Sequence, residues 1–223
     1  MQKFDTPTPV TVILDVPAGD IRLIAADRAD TTVEVLPKNP STGRDAKAAE
    51  RTEVVHGDNV LRITAPRADN QVFGPSGSVE VTVQLPAGSH VEANAALAGL
   101  RGVGRLGDVT FETAQGTVKL DEAASVRLTL QSGDVTVGRL GGDADISTQK
   151  GDLRVDEAVR GTVTLRTEHG EISVAAARGV SASLDAGTSY GRIHNTLRNA
   201  DGADAALTVH ATTAYGDISA RSL

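Results

Sequence analysis

From residue 107 onward, apolar and polar residues alternate in short runs, each broken by a glycine. Gly107-Asp-Val-Thr-Phe-Glu-Thr-Ala-Gln-Gly116-Thr-Val-Lys-Leu120 is the first clear unit. Val126-Arg-Leu-Thr-Leu-Gln-Ser-Gly133-Asp-Val-Thr-Val137, Ala144-Asp-Ile-Ser-Thr-Gln-Lys-Gly151-Asp-Leu-Arg-Val155 and Val163-Thr-Leu-Arg-Thr-Glu-His-Gly170-Glu-Ile-Ser-Val174 follow. Two longer units are centred on Gly191 and Gly216. The shared pattern is apolar-x-apolar-x-Thr-x-x-Gly-(Asp/Glu)-apolar-x-apolar. Period-two alternation on both arms marks half-buried strands, and a glycine at the bend can take positive φ. The glycines at 116, 133, 151, 170, 191 and 216 are 17 to 25 residues apart, which suits one two-strand layer per repeat, stacked on the next.

The pattern predicts an inward set of Val118, Val135, Leu153, Ile172, Ile193 and Ile218 after the glycines. Before them it predicts Val109, Phe111, Val126, Leu128, Ala144, Ile146, Val163 and Leu165. One layer cannot bury its own face, so neighbours must stack into a continuous core. The expected fold is all-β: a single β-solenoid, a β-helix-like stack of short strands with Gly-Asp turns. The alternative is a stack of hairpins in an antiparallel sandwich. Two-residue Asn-Gly or Asp-Gly turns would favour it, but the order here is mostly Gly-Asp after a short polar run.

Residues 1–223 read as one β-repeat domain, less regular over 1–106 and regular over 107–223. In the first part, Val10-Thr-Val-Ile-Leu-Asp-Val-Pro-Ala-Gly19-Asp-Ile-Arg-Leu23 and Val79-Glu-Val-Thr-Val-Gln-Leu-Pro-Ala-Gly88-Ser-His-Val91 share the arm-bend-arm form. Thr32-Val-Glu-Val-Leu36 and Val60-Leu-Arg-Ile-Thr64 read as strands. Ser41–Arg51, rich in Ala and charge, reads as a short helix or a loop, and Gly74-Pro-Ser-Gly77 as a loop.

The chain resembles the bacterial β-strand-repeat family known by the name "putative adhesin", a domain of unknown function. The matching residues are Val16-Pro17-Ala18-Gly19-Asp20-Ile21, Leu85-Pro86-Ala87-Gly88 and the Gly-Asp-(Val/Leu/Ile) turns at 133, 151 and 216. The resemblance covers nearly the whole chain. It implies a β-solenoid-like domain, no established enzyme activity and a general binding or assembly role; members often sit at the cell envelope.

Composition narrows the chemistry. Aromatics are 2% of the chain, with three Phe, two Tyr and no Trp, so the core must be aliphatic. A net charge of -7 argues against binding phosphate backbones, which needs clustered Lys and Arg, and against docking on an anionic membrane. The chain has no Cys, so thiolate chemistry is excluded. The first residues, Met1 to Pro7, lack the basic and apolar runs of a secretory signal. No stretch reaches the ~18–20 apolar residues of a membrane span. As written, the protein is expected to be cytoplasmic, with an envelope location only if a leader has been removed.

Several motifs suggest chemistry and lose it in context. Gly187-Thr188-Ser189-Tyr190-Gly191 matches the nucleophile elbow G-x-S-x-G, which needs a following helix; a strand follows here, and the sister unit has Ala214 in place of Ser189. Gly102-Val-Gly104-Arg-Leu-Gly107 matches G-x-G-x-x-G, but a dinucleotide site also needs a helix next. Asp134, Asp152 and Glu171 would form an acidic row in adjacent layers, a calcium-like set of oxygens, interrupted by Thr117 and Arg192 and offset by Lys119 and Arg154. His169 lies beside Glu168 and Glu171, the one local His cluster; His56, His90, His194 and His210 show no metal spacing. No catalytic residue, cofactor site or metal site is assigned.

Tyr190 and Tyr215 each precede a turn glycine. Side by side in a stack, they form the candidate partner surface, for a protein or a sugar ring. The chain stops soon after its last turn, at Ile218-Ser-Ala-Arg-Ser-Leu223. An uncapped layer exposes strand edges, so Ile218, Ser219 and Ala220 are the expected self-association edge. The leading reading is a non-enzymatic interaction or assembly module acting on a protein partner or on itself. Alternatives are a carbohydrate-binding β-helix and an accessory regulator acting through a protein partner. Polysaccharide cleavage is disfavoured because the face expected from Arg154, Ser173, His194 and Ser219 lacks paired carboxylates.

Overall fold

The computed structural model describes residues 1–66 and 77–223; the expected loop at 74–77 falls largely outside them. The chain divides into two compact units, Met1–Gly116 and Thr117–Leu223. The change from irregular to regular sequence at 106/107 therefore lies ten residues ahead of the division between units.

The second unit is a parallel stack. Its strands are β9 (Val118–Ser132), β10 (Val135–Leu140), β11 (Ala144–Lys150), β12 (Leu153–Ala158), β13 (Gly161–His169), β14 (Ile172–Ala176), β15 (Ala182–Tyr190), β16 (Ile193–Thr196), β17 (Leu207–Tyr215) and β18 (Ile218–Ser222). Each repeat contributes one strand to each of two ladders, and the turn glycine is the corner between them. One ladder runs from the second half of β9 through β11 and β13. The other runs from the first half of β9 through β10, β12 and β14. Every one of these pairings is parallel, with a single register shift, between Val155 and Ala158 in the β12–β14 pair, and Val118, Val135, Leu153 and Ile172 stand in one column. Parallel pairing rules out the hairpin sandwich, because hairpins pair antiparallel. The architecture is the expected solenoid-like stack.

The last two layers depart from chain order. β17 pairs with β13 on one side and β15 on the other. Likewise, β18 lies between β14 and β16. The C-terminal layer is thus inserted beneath the layer that precedes it in sequence, and β15/β16 is the outer one. The burial follows: Ile218 is 1% exposed and Ile193 46%. Ile193 accordingly leaves the predicted inward set. Of the other predicted core residues, Val118, Val135, Leu153 and Ile172 are all buried, as are Val109, Phe111, Val126, Leu128, Ala144, Ile146, Val163 and Leu165.

The first unit repeats this displacement at the other end of the sequence. Its strands are β1 (Gln2–Asp5), β2 (Thr11–Asp15), β3 (Ala18–Ala26), β4 (Asp30–Pro37), β5 (Glu53–Gly57), β6 (Val60–Thr64), β7 (Val79–Pro86) and β8 (His90–Gln115). The layer β2/β3 is held between β6/β7 and β8, in parallel register on both sides. β4 adds antiparallel to β7, β1 to β4, and β5 to β6. β8 turns corners without breaking and lays its final residues on its own start, with Gly107 N–H donating to the Ser89 carbonyl at 2.8 Å.

The Ala-rich segment forms α1 (Gly43–Arg51), resolving the helix-or-loop alternative. Asp45 in its first turn suits the positive end of the helix dipole, and its carboxylate accepts from the backbone N–H of Asn39 at 3.1 Å and Ser78 at 3.0 Å. That ties the helix to both flanking chain segments.

Candidate functional site

The corner of the second unit carries three regular columns, and each residue of the repeat motif has a structural task there. Glycines stack on glycines: a Cβ on Gly170 would sit 2.0 Å from the Gly151 carbonyl oxygen, and one on Gly216 would sit 1.9 Å from that of Gly170. No side chain fits at those separations, so close approach of layers requires the glycine at both positions, and at Gly216 a φ of 152° requires it as well. In the last three units the threonine three residues earlier, buried at Thr167 and Thr213 and half-buried at Thr188, donates its hydroxyl to a turn carbonyl in the adjacent layer. Thr167 donates to Gly151, Thr213 to Gly170 and Thr188 to Gly216, each at 3.1 Å. These bonds give partners to the half-buried carbonyls of the tight corner.

The acidic residue after the glycine forms the third column. The Asp134 carboxylate accepts from Asp152 N–H at 2.9 Å, and that of Asp152 accepts from Glu171 N–H at 2.8 Å. The row that resembled a calcium ligand set therefore spends its oxygens on the backbone of the adjacent layer. Where Arg192 interrupts the row, its backbone N–H bonds Asp217 at 2.9 Å and its guanidinium grips the same carboxylate at 2.6 Å. That grip holds the Asp217 carboxyl below its ordinary range and raises the Arg192 guanidinium. Among the described residues, no group of three or more His, Cys, Asp or Glu is placed to hold a metal ion.

Immediately before the glycines, the register aligns His169, Tyr215 and Tyr190. Tyr190 stacks on Tyr215 with ring centroids 4.8 Å apart and planes 4° from parallel; Tyr215 stacks on His169 at 4.9 Å and 12°. The spacing is that of paired strands, so the rings stack because their strands do. Tyr190 ends the column and is 68% exposed. The two tyrosines expected to meet do meet. His169, which drew notice for its acidic neighbours, joins the rings instead; its place beside Tyr215 depends on the interleaved layer order and was not visible in the spacing of the repeats.

The expected self-association edge lies elsewhere. Ile218, Ser219 and Ala220 are bonded to β14 on one side and β16 on the other, so they form an interior strand. Among the described residues, β15 and β16 each have a strand partner on one side only, so they form an exposed edge of this unit. β16 is exposed at all four residues, and β15 carries a single charged residue, Asp185. The other motifs stay structural. Ser189 lies in strand β15 with a strand after it, and Gly102 to Gly107 lie within β8. Arg154, Ser173, Ser219 and His194 do align across β12, β14, β18 and β16; Arg154 pairs with Asp156 at 2.5 Å. An open cavity of about 340 Å³ beside the start of β15 is lined by Ser181, Arg198, Asp201 and Ser222 among others.

The family model described as Toastrack DUF4097 matches residues 11–222. The chain belongs to the Toastrack family. The match takes in the first and last layers alike, so both units are parts of one Toastrack region. No curated protein matches the chain. Among solved structures, this Toastrack chain is similar to a "putative adhesin" from Parabacteroides distasonis, at 14% identity and a TM-score of 0.47, covering 98% of this chain and 95% of that one. A "putative adhesin" from Bacteroides fragilis gives 12% identity and 0.45 over 98% and 95%. A "putative cell adhesion protein" from Clostridium sporogenes gives 12% and 0.40 over 100% and 98%. Among the described residues, no helix of the Toastrack chain is long and apolar enough to cross a membrane.

Proposed function

We propose that this Toastrack chain is a non-enzymatic interaction module that engages its partner by strand addition at the β15/β16 edge. The observation that carries this reading is the outer layer β15/β16, which among the described residues has a strand partner on its inner side only. A strand edge left open presents a row of N–H and C=O groups, a ready template for another chain. Natural proteins commonly blunt such edges with Lys, Pro or a bulge. β15 has neither Lys nor Pro in nine residues, and its register with β17 runs unbroken from Ala182 to Thr188.

Ala186→Pro tests it. Proline is tolerated on an edge strand where its missing N–H faces solvent, so the fold survives while the outward donor is lost. Wild type and variant are compared by light scattering coupled to size exclusion over a wide concentration range, and by affinity capture from the source cell. Association, with itself or another protein, that disappears in Ala186→Pro supports the reading. Association that persists unchanged refutes it.

The exposed face of Tyr190 supports a second reading, in which the ring column docks a sugar ring. Tyr190→Ala and Tyr215→Ala would then abolish binding on a glycan array while leaving the oligomeric state unchanged.

A further inference from the structure

We propose that the occupant of the β15 edge is a second copy of this chain, with the two β15 strands paired antiparallel about a twofold axis at Ala186. This rests on the strand-addition reading above and names its partner.

The free backbone groups of β15 define the axis. Ala182 N–H donates to the Arg198 carbonyl at 3.0 Å, and the Ser181 carbonyl accepts from Leu207 N–H of β17 at 3.2 Å. Residue 181 thus faces β17 and residue 182 faces away. Successive residues of a strand alternate in this respect, so Leu184, Ala186 and Thr188 point their N–H and C=O outward. Arg198 occupies the position before this set. After Thr188 the pairing skips Ser189 and the alternation breaks, so that the Tyr190 carbonyl turns inward and accepts from Gly216 N–H at 3.0 Å. The available set is therefore 184, 186 and 188, symmetric about 186. Only antiparallel pairing centred there satisfies all three on both copies: Leu184 with Thr188 of the other copy, Ala186 with Ala186, and Thr188 with Leu184. A twofold axis reuses one patch on both copies, as most homodimers do.

Charge agrees with this register. It sets Asp185 opposite Gly187 of the other copy, where no side chain stands. A slip that moved the axis to residue 185 would place the two Asp185 carboxylates face to face, which is unfavourable. The other short edge strands of this chain are poor alternatives as mates for β15. β1 carries Lys3 and Asp5 in four residues, and β5 begins at Glu53.

The chain contains no cysteine, so a single introduced thiol reports the register. Hydrogen-bonded antiparallel partners have Cα atoms ~5.5 Å apart, inside the range a disulfide spans. Ala186→Cys should cross-link to itself under oxidised glutathione, whereas Asp185→Cys should not. Gly187 tests the charge register, because nothing lies within 4 Å of a Cβ built there. Gly187→Asp would face Asp185 twice per dimer and should weaken association about tenfold. Gly187→Lys should preserve or strengthen it. Circular dichroism confirms that each variant is folded. If wild type associates and Ala186→Pro dissociates it, but Ala186→Cys fails to cross-link and Gly187→Asp has no effect, the twofold register is overturned while strand addition stands. A wild type that is monomeric at every concentration overturns the second copy as partner. Association indifferent to Ala186→Pro overturns both.

Discussion

Ile193 and Ile218 occupy the same place in the motif, two residues after a turn glycine, and their sequence contexts scarcely differ. The layer order separates them. Ile218 is 1% exposed and bonded between two strands; Ile193 is 46% exposed on the outer layer. Truncating a fully buried isoleucine to alanine costs about 2–5 kcal/mol, including the cavity left behind. At Ile193 about half of the side chain's transfer energy is available to lose, and solvent fills the space, so Ile193→Ala should cost about 1 kcal/mol. The predicted gap is at least about 1–2 kcal/mol. Urea unfolding followed by far-ultraviolet circular dichroism measures it. With an m-value of about 2 kcal/mol per molar for a unit of this size, Ile218→Ala should shift the midpoint about 1 M or more and Ile193→Ala about half a molar. Equal shifts, or a larger one for Ile193→Ala, would refute the interleaved order.

Two further substitutions test the corner. Thr167→Val keeps the side-chain volume but removes the bond to the half-buried Gly151 carbonyl; thermal melts should show a loss of about 1 kcal/mol. Gly170→Ala would drive a methyl group onto that same carbonyl, so it should destabilise more than Gly187→Ala, whose Cβ meets nothing within 4 Å; paired urea titrations compare them. Acid titration probes Asp30, whose carboxyl is held down to about 2 by hydrogen bonds from Arg28 and Lys3. The folded value lies below the ordinary 3.8, so its stabilising contribution is present above about pH 4 and is lost as pH falls toward 2. Asp30→Asn should flatten that part of the stability curve.

Much of the fold was legible because the repeat states its own geometry. Alternation marked the arms and the glycine marked the corner; the recurring threonine was visible in the pattern, but its hydroxyl bond to a turn carbonyl was not. Parallel stacking followed from turn order alone. Three things were not legible. The order of the last two layers was hidden because units centred on Gly191 and Gly216 carry the same motif, and a motif says what a layer is without saying which layer it touches. For the same reason Ile218, Ser219 and Ala220 read as an edge and proved interior, while the true edge at β15/β16 read as one repeat among others. The acidic row looked like a ligand set because spacing reports alignment only; the backbone N–H groups that occupy Asp134 and Asp152 are invisible in it. The tyrosine pair was legible, since its two members share a motif position, but His169 joined it only through the interleaving.

The spacing of the glycines yields one more consequence of that interleaving. Gly170 and Gly216 are adjacent in the column though 46 residues apart in sequence, because residues 178–206 form the outer layer and its connections. Removing those 29 residues leaves a separation of 46 − 29 = 17, the spacing already found between Gly116 and Gly133. The ends to be joined are anchored near one another: Ala177 N–H donates to the Ala158 carbonyl at 2.8 Å, and Leu207 is the register partner of Gly161, three residues further on. A chain lacking 178–206 should therefore fold, with β17/β18 as its last layer and Ile218 newly exposed on one side. Deleting 207–223 removes fewer residues yet should do more harm. It strips the cover from Val163, Leu165, Ile172 and Val174, and leaves β15 and β16 with no strand partner among the described residues. Amide hydrogen exchange distinguishes the cases. The first deletion should keep slow exchange in β11 to β14, and the second should lose it in β13 and β14 and throughout 182–196. Stack proteins gain stability from nearest-neighbour interfaces, so a layer's worth depends on which layers it touches and not on its place in the chain. If the 178–206 deletion proved as damaging as the loss of 207–223, β15/β16 would have to be an integral layer of the stack and not an outer addition to it.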